Sequence, residues 1–256
     1  MSMYLTGSTG SIGRHLSYLK SLNLNLLDHK KKIHEELMKC RPETVIHLAA
    51  ITNHKEIDKN PEHSKLVNVA GTKKLFDAFA SSGGKKFVFV SSGHVYGKTD
   101  YGTFSTETDN LNPLTAYAAQ KAEVESYLLE NSKESNVQIL ILRVFSVAGP
   151  DMANHYFASN VLNSQNFEPV QNALDVRDFL PVSMAAKMIY TAAESLKVLP
   201  SILNVCSGIP VRIQEKVFDL YPAWPADAFI NSHSELPWLV GNPSLYREHI
   251  KLEGPL

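Results

Sequence analysis

The 256-residue sequence has little cysteine and no excess of charge. Its two cysteines, Cys40 and Cys206, are far apart and form no Cys-x-x-Cys pair, which argues against a disulfide framework or a cysteine-based zinc site. No metal site is predicted, and a reducing compartment is expected. The 25 Lys and Arg residues nearly balance the 26 Asp and Glu residues. Without a basic stripe, nucleic acid is not an expected partner.

Long hydrophobic runs are also missing. The most apolar stretch, 137–145, is interrupted by Gln138 and Arg143, and no run reaches the roughly 18 residues that a membrane span needs. A glycine motif begins at Gly7, which leaves no room for a signal peptide before it. We therefore expect a cytoplasmic protein with no membrane partner.

The sequence does contain an alternation of short apolar runs with helical patterns. Runs rich in Val, Ile and Phe at 3–6, 43–49, 86–91 and 137–143 alternate with helices predicted from about 11, 29, 67 and 115. This order predicts an α/β fold with a Rossmann-like, doubly wound parallel sheet. Beyond residue 150 only a helix over 183–196 and a strand over 202–206 are clear, and Pro222, Pro225 and Pro237 indicate an irregular tail.

These patterns predict two regions. Residues 1–150 would form the dinucleotide-binding domain, joined by a returning segment at about 177–207 that adds a strand to the sheet. Residues 151–176 and 208–256 would form a small, partly irregular substrate-binding lobe.

A glycine-rich loop follows the first predicted strand. Gly7, Gly10 and Gly13 enclose Ser11 and Ile12 and lead into a predicted helix. Such glycines allow a tight turn and a close approach of the backbone to a pyrophosphate. The position between a strand and a helix predicts dinucleotide binding.

Asp28 has two interpretations. It lies 21 residues after Gly7, near where an acid at the end of the second strand binds the adenosine ribose. Alternatively it is a later acid that contacts adenine, and the ribose acid is missing. In that case Arg14 and the lysines at 30–32 could accept a 2′-phosphate, although those lysines could equally be a solvated helix start. The cofactor is therefore NAD or NADP, with a slight preference for NADP.

Tyr117 and Lys121 are four residues apart on a helix predicted to open at Pro113. A nearby ammonium favours the phenolate form of tyrosine, which suits Tyr117 to general acid/base catalysis. Ser91 and Ser92 end the strand over 86–91, at the sheet edge where open α/β sheets bind ligands. A hydroxyl there can polarise a substrate carbonyl while a nicotinamide delivers hydride.

Together these motifs resemble the extended short-chain dehydrogenase/reductases of the NAD-dependent epimerase/dehydratase branch, which act on nucleotide-activated sugars. The matching stretches occur in the family's order over most of the chain: 7–13, 45–50, 68–72, 91–97, 117–121, 142–150, 177–182 and 203–208.

The resemblance implies a role for each matching residue. Ser92, Tyr117 and Lys121 would form the catalytic triad, with Lys121 also gripping the nicotinamide ribose. The cofactor cleft would be lined by Leu48, Ala49 and Ala50 and supported by Asn68. Arg177 would contact the substrate diphosphate, for which bidentate guanidinium geometry is suited; the alternative is an ion pair with Asp178.

Several positions differ from the family's pattern, and these differences limit which reactions are expected. Sugar 4,6-dehydratases carry Asp-Glu where this chain has Gly93 and His94, so dehydration is not expected. His94 could face the sugar or be structural. Ser146 replaces the family's Asn on the substrate side, which leaves the sugar's identity undefined.

The short chain resembles the reductases that make deoxysugars. The first hypothesis is therefore reduction of a nucleotide-linked 4-keto-6-deoxy sugar. A 4-epimerase with tightly bound NAD is the second, and a non-catalytic dinucleotide-binding protein is the third.

The helix at 115–130 carries Ala118, Ala119, Ala122 and Tyr127 and resembles the family's dimer helix. A homodimer is thus expected, with burial inside the fold as the alternative.

Overall fold

The structure is a computed structural model that describes residues 2–149, 152, 169–231 and 235–252. Six parallel strands form the main sheet in the order β2-β1-β3-β4-β5-β9, which confirms the predicted Rossmann-like fold. The strands are β1 Met3–Thr6, β2 Lys20–Ser21, β3 Thr44–His47, β4 Lys86–Ser92, β5 Gln138–Val144, β6 Ser146–Ala148, β7 Val170–Gln171, β8 Val176–Pro181, β9 Ile202–Val205, β10 Pro210–Arg212, β11 Phe229–Ile230 and β12 Trp238–Leu239.

Helices cover both faces of this sheet. They are α1 Lys30–Cys40, α2 His54–Lys59, α3 Pro61–Lys65, a π-helix Leu66–Gly71, α4 Thr72–Ser81, α5 Ala116–Ser135, α6 Val182–Glu194, α7 Ile213–Leu220 and α8 Ser244–His249. Val88 and Val90 of β4 pack into the core on one face, and Phe87 and Phe89 pack into the core on the other. A strand buried on both faces explains why this run is apolar without alternation.

The first helix differs from the prediction. Instead of a helix from about residue 11, a single 3-10 turn, Gly13–Leu16, leads to the two-residue strand β2. Because Tyr4 pairs with Lys20, the chain has only residues 17–19 between this turn and β2. The whole crossover from β1 to β2 is residues 7–19, close to the minimum of about a dozen residues that a parallel connection through a helix takes. The glycine loop uses the first part of it, so only a short turn fits in the rest.

The C-terminal part returns to the main sheet twice. β9 pairs with β5 in parallel. In α8, the buried Tyr246 donates its hydroxyl hydrogen to the Met188 carbonyl at 2.7 Å. The prediction of an irregular tail is therefore wrong for this helix. Outside the main sheet, β8 pairs with β10, β12 and β6.

One buried charge joins distant parts of the chain. Lys86, the first residue of β4, donates from Nζ to the carbonyls of Ala192, Ala193 and Ser195 at 3.0–3.1 Å. These carbonyls end α6, where a cation also complements the helix dipole.

Most of the segment 151–176 lies outside the described residues. Among the residues that are described, no helix is long and apolar enough to cross a membrane.

Candidate active site

The helix α5 presents three functional side chains on one face. Thr115, not Pro113, caps this helix, since its side chain accepts from the Ala118 N–H at 3.2 Å. Helical spacing then places Tyr117, Lys121 and Glu125 on successive turns of the face toward β4. The expectation that Pro113 opens the helix is wrong because the residues before Thr115 are not helical.

Lys121 is buried beneath Tyr117. Its Nζ donates to the Val90 carbonyl at 2.8 Å and lies 4.6 Å from the centre of the Phe89 ring and 5.7 Å from that of the Tyr117 ring. Burial lowers the pKa of Lys121 to about 8, although Glu125 opposes the shift. At neutral pH the side chain is thus mainly an ammonium, which attracts negative charge developing on Tyr117.

Ser92 ends β4 two residues beyond the carbonyl that holds Lys121. Its Oγ accepts from the backbone N–H of His94 at 3.2 Å. This bond uses an oxygen lone pair and leaves the hydroxyl hydrogen for donation. Ser92 is therefore placed to donate a hydrogen bond at the carboxyl edge of the sheet.

A buried polar network fixes the face of α5 against the strands. Arg143 of β5 forms an ion pair with Glu125 at 2.7 Å, and Glu125 also accepts from the Ser91 hydroxyl. Arg143 donates to the Tyr96 hydroxyl, which in turn donates to Asn204 of β9 at 2.6 Å. The helix α5 is thus tied to three neighbouring strands.

The glycine loop is tight and lies against β3. Gly7 has φ +74°, and a Cβ there would lie 2.6 Å from Ala49 N. At Gly13 a Cβ would lie 2.1 Å from Gly7 O, so both positions require glycine. Gly10 meets only one atom, at 3.3 Å, and its missing side chain leaves space over the loop. This cradle fits the close approach of a pyrophosphate. Ser11 and Ile12 lie within the same loop, where Ser11 is buried.

The structure places Asp28 away from the end of the second strand. Ser21 ends β2 beside the loop, and its Oγ is 2.8 Å from Ser8 Oγ. Asp28 comes just before α1, where its carboxylate pairs with Lys32 at 2.9 Å. The interpretation of Asp28 as an acid at the end of β2 is therefore wrong, and Ser21 occupies that place. Lys30, at the start of α1, pairs with Asp77 at 3.2 Å.

Asn68 supports the segment that follows β3. From the π-helix, its side chain accepts from Ile51 N at 2.7 Å and donates to Ile51 O at 2.9 Å, while also donating to Gln120. Residues Leu48, Ala49 and Ala50 precede this clamp, between β1 and β4 in the sheet. Because the strand order reverses between β1 and β3, the glycine loop and this segment meet at the switch point where such sheets bind ligands.

A cavity of about 460 Å³ opens beside the first turn of α5 and the turn that follows Ser92. It is lined by residues from five parts of the fold: His54, His94, Gly97, Leu114, Thr115, Asn172, Asp175, Arg177, Glu235 and Leu236.

Arg177 pairs with Asp175 at 3.0 Å, so the expected alternative of a pair with Asp178 is wrong. Asp178 instead accepts from Ser207 and Gly208. Ser146 begins β6 opposite Phe179, outside the lining of this cavity.

Two histidines meet at Tyr117. The His54 ring lies edge-on to the Tyr117 ring with centroids 5.7 Å apart, and its centroid is 6.3 Å from that of His94. Burial, with smaller effects from Arg177 and His54, lowers the pKa of His94 to about 4, so this imidazole is neutral at pH 7. Sequence reasoning missed His54, although its place just beyond β3 at the carboxyl edge of the sheet was a usable signal.

No group of three or more His, Cys, Asp or Glu side chains suited to a metal ion occurs among the described residues. The groups described above are of the types that nicotinamide chemistry uses: a glycine cradle, a hydroxyl, a phenol and a buried ammonium.

Comparison with known proteins identifies relatives over most of the chain. The chain is 27% identical to the GDP-6-deoxy-D-mannose reductase of Pseudomonas aeruginosa, over 84% of this chain and 77% of that protein. It is 30% identical to the UDP-glucose 4-epimerase of Vibrio cholerae, over 86% and 74%. The solved structure of Thermus thermophilus UDP-glucose 4-epimerase in complex with NAD superposes with a TM-score of 0.85 at 25% identity, covering 97% of this chain and 93% of that one.

The family profile covers most of the chain. The profile of the NAD dependent epimerase/dehydratase family matches residues 3–206, which include the glycine loop, Ser92, Tyr117 and Lys121. The chain is therefore an NAD(P)-binding enzyme that belongs to the NAD dependent epimerase/dehydratase family.

Proposed function

We propose that this enzyme reduces a nucleotide-linked 4-keto-6-deoxy sugar with NADPH. The observation that carries the proposal is the face of α5, where Tyr117 stands above the buried Lys121 ammonium and next to a cavity containing Arg177. A phenol donates a proton to a carbonyl oxygen, and a guanidinium binds a diphosphate. The cavity thus joins a proton donor to an anion-binding group.

Each residue has a separate task in the reaction. Arg177 binds the diphosphate and holds the sugar in the cavity. Ser92 donates a hydrogen bond to the C4 oxygen, and Tyr117 transfers its proton to that oxygen. Lys121 stabilises the resulting phenolate. A bound reduced nicotinamide supplies the hydride that C4 receives.

The part of the cleft that would hold the adenosine half of the cofactor is small. This favours a cofactor that is released after each turnover. Residues 13–21 supply only a four-residue turn and a two-residue strand. Such a short turn offers little helix dipole to the pyrophosphate. Ser21 replaces the usual ribose acid, so no carboxylate at the end of β2 would repel a 2′-phosphate. These features support NADPH over NADH, and a reductase over an enzyme with resident NAD.

The competing function is a nucleotide-sugar 4-epimerase, favoured by the similarity to the Vibrio cholerae epimerase. An epimerase keeps its NAD through oxidation and re-reduction, whereas a reductase releases it after each turnover. Heat release of cofactor from the purified protein separates the two. Stoichiometric NAD would support the epimerase, and an empty protein supports the reductase.

Tyr117→Phe tests the reductase directly. Oxidation of NADPH is followed at 340 nm with dTDP-, GDP- and UDP-linked 4-keto-6-deoxy sugars. The variant is expected to lower kcat by about two to four orders of magnitude, the usual contribution of general acid catalysis. Tyr127→Phe is the matched control, since Tyr127 lies on the same helix but donates to Asp77. No NADPH oxidation with any keto sugar nucleotide would overturn the proposal.

A homodimer and a cytoplasmic location remain predictions. Ala118 is fully buried inside the fold and Tyr127 packs in the core, whereas Ala119 is exposed. Burial therefore accounts for part of the helix face on which the dimer was predicted. Light scattering after size-exclusion chromatography measures the oligomeric state.

A further inference from the structure

A buried histidine between the glycine loop and the π-helix has no task in the proposed reduction. His47 is the last residue of β3 and pairs in register with Thr6, the last residue of β1. It is only 1% exposed, and its ring lies near those of Phe87 and Phe89. A buried imidazole is costly unless its ring nitrogens have hydrogen-bond partners, so the partners of His47 show what it is there to hold.

Both ring nitrogens have a buried threonine as partner. Nδ1 lies 2.7 Å from the Thr6 hydroxyl oxygen, and Nε2 lies 2.9 Å from the hydroxyl oxygen of Thr72 at the start of α4. Each threonine has a further partner. Thr72 donates to the Asn68 carbonyl at 2.7 Å, and Thr6 accepts from the Ala49 N–H at 3.3 Å. The five residues therefore form one continuous chain of hydrogen bonds.

The direction of each bond follows from the hydrogens available. The Thr72 hydroxyl has one hydrogen, which it gives to Asn68, so toward His47 it can only accept. Nε2 therefore carries a hydrogen. Burial, with a smaller effect of the Lys121 charge, lowers the pKa of His47 to about 3, so the ring is neutral at pH 7 and Nδ1 carries none. Nδ1 then accepts from Thr6, whose oxygen is left to accept the backbone N–H at the end of the chain.

The other neutral tautomer does not satisfy these groups. With its hydrogen on Nδ1, the ring would donate to Thr6, whose own hydrogen would find no other acceptor among the described residues. Thr72 would also have to turn its single hydrogen from the Asn68 carbonyl to Nε2. The form with hydrogen on Nε2 is thus the one in which every group of the chain has a partner.

The two ends of the chain hold one irregular segment. Residues 48–53 follow β3 without helix or strand structure. At one end, Thr6 holds the Ala49 N–H beside Gly7 of the glycine loop. At the other end, the Asn68 side chain accepts from Ile51 N at 2.7 Å and donates to Ile51 O at 2.9 Å. Backbone groups that a strand or helix would pair are here paired by side chains, in the segment predicted to line the dinucleotide cleft.

We infer that His47 positions this wall of the cofactor cleft, by orienting Thr6 at one end of the wall and Thr72 with Asn68 at the other. His47 is buried beneath the wall and acts through the threonines, so it is a positioning residue and not a catalytic one. The inference requires that a dinucleotide binds in the cleft. It does not require the proposed reduction, because an epimerase would use the same wall.

Two variants of Thr72 separate the hydrogen bonds from the packing. Valine keeps the shape of threonine but leaves the His47 Nε2–H and the Asn68 carbonyl without this partner, whereas serine keeps the hydroxyl and loses a methyl group. Fluorescence titration with NADPH, and separately with NADH, measures the dissociation constant without any sugar. We expect Thr72→Val to raise it about 10-fold or more, the scale of an unpaired buried donor, and Thr72→Ser to change it less than about twofold.

A purely structural role predicts a different pattern. If packing alone mattered, serine would weaken binding at least as much as valine, because it removes a buried methyl group. Thermal melts of both variants show whether affinity follows stability. The dissociation constants of NADPH and NADH should rise by the same factor, since the chain does not reach the end of β2. Thr191→Val is the matched control, because it removes the same kind of hydroxyl bond to a carbonyl four residues earlier, in α6.

The position of the ring hydrogen tests the chain in the wild-type protein. With nitrogen-15-labelled histidine, the NMR shifts of the ring nitrogens show which of them carries hydrogen, and loss of signals in His47→Asn assigns them. We expect hydrogen on Nε2 alone at pH 7, with and without NADPH. Hydrogen on Nδ1, or on both nitrogens, would overturn the inference.

The remaining outcomes are also decisive. Unchanged affinity in Thr72→Val, or an equal loss in Thr72→Ser, overturns the role of His47 and leaves the proposed function intact. The expected pattern of affinities together with no NADPH oxidation by any keto sugar nucleotide supports this inference and overturns the reductase. Wild-type protein that binds neither dinucleotide would overturn both.

Discussion

Replacing Lys121 by methionine should make the protein more stable and less active at neutral pH. Burial lowers the pKa of Lys121 from 10.5 to about 8, and this difference corresponds to about 3 kcal/mol. Methionine removes that penalty, while loss of the hydrogen bond to Val90 costs about 1 kcal/mol. Lys121→Met is therefore expected to gain about 2 kcal/mol at pH 7.

The pH dependence is the more specific test. Between pH 8 and 10.5 the unfolded chain keeps the lysine proton that the folded protein has lost, so folded wild-type protein becomes more stable as pH rises. The advantage of Lys121→Met should therefore shrink by about 2–3 kcal/mol between pH 7 and pH 10. Urea unfolding followed by circular dichroism measures both proteins at each pH.

Two controls test whether the change in stability comes from the Lys121 ammonium. Lys133→Met changes an exposed lysine of the same helix and should show no such trend, because its ammonium is hydrated in both states. Repeating the comparison in a Tyr117→Phe background removes titration of the phenol. A stability difference that stays constant within about 0.5 kcal/mol from pH 7 to pH 10 would show that Lys121 is not a buried charge.

Further predictions concern the loop and the buried ion pair. Gly13→Ala places a Cβ 2.1 Å from Gly7 O and should lower the free energy of unfolding by about 1–3 kcal/mol, together with the affinity for NADPH; thermal melts and fluorescence titration measure both. Gly10→Ala, whose nearest contact is 3.3 Å, should be the milder of the two, and equal losses would contradict the steric argument. Glu125→Gln leaves the buried Arg143 charge without its partner and should lower stability by about 3–5 kcal/mol, whereas Glu130→Gln, at an exposed position of the same helix, should change it little. An Arg143→Met/Glu125→Met double variant as unstable as Glu125→Gln would show that lost packing, not the unpaired charge, is responsible.

Local patterns were enough to predict the sheet and the catalytic helix. The apolar run of β4 and the four-residue spacing of Tyr117 and Lys121 are properties of neighbouring residues, so they are readable from the chain. The segment after Gly13 was mispredicted because its structure depends on how soon β2 must pair with β1. That register is a tertiary property, and the same reason explains the error in the position of Asp28.

Side-chain partners were harder to predict than elements. The ion pair of Arg177 with Asp175 rather than Asp178 follows from strand geometry, since residues two apart lie on the same face of β8 and neighbours lie on opposite faces. His54 was missed because its significance depends on α2 bringing it to Tyr117. The His54 contact cannot be read from spacing without knowing which elements meet.

The buried ammonium of Lys86 also bears on the order of folding. Its three carbonyl acceptors are more than a hundred residues later in the chain. During synthesis, the strand that ends in Ser92 therefore has an unpaired cation at its first residue until α6 has emerged and docked. A fragment ending at residue 149 would bury that charge without partners or leave the end of β4 exposed to water. The first half of the chain therefore depends on the second half to pair the charge at the start of β4.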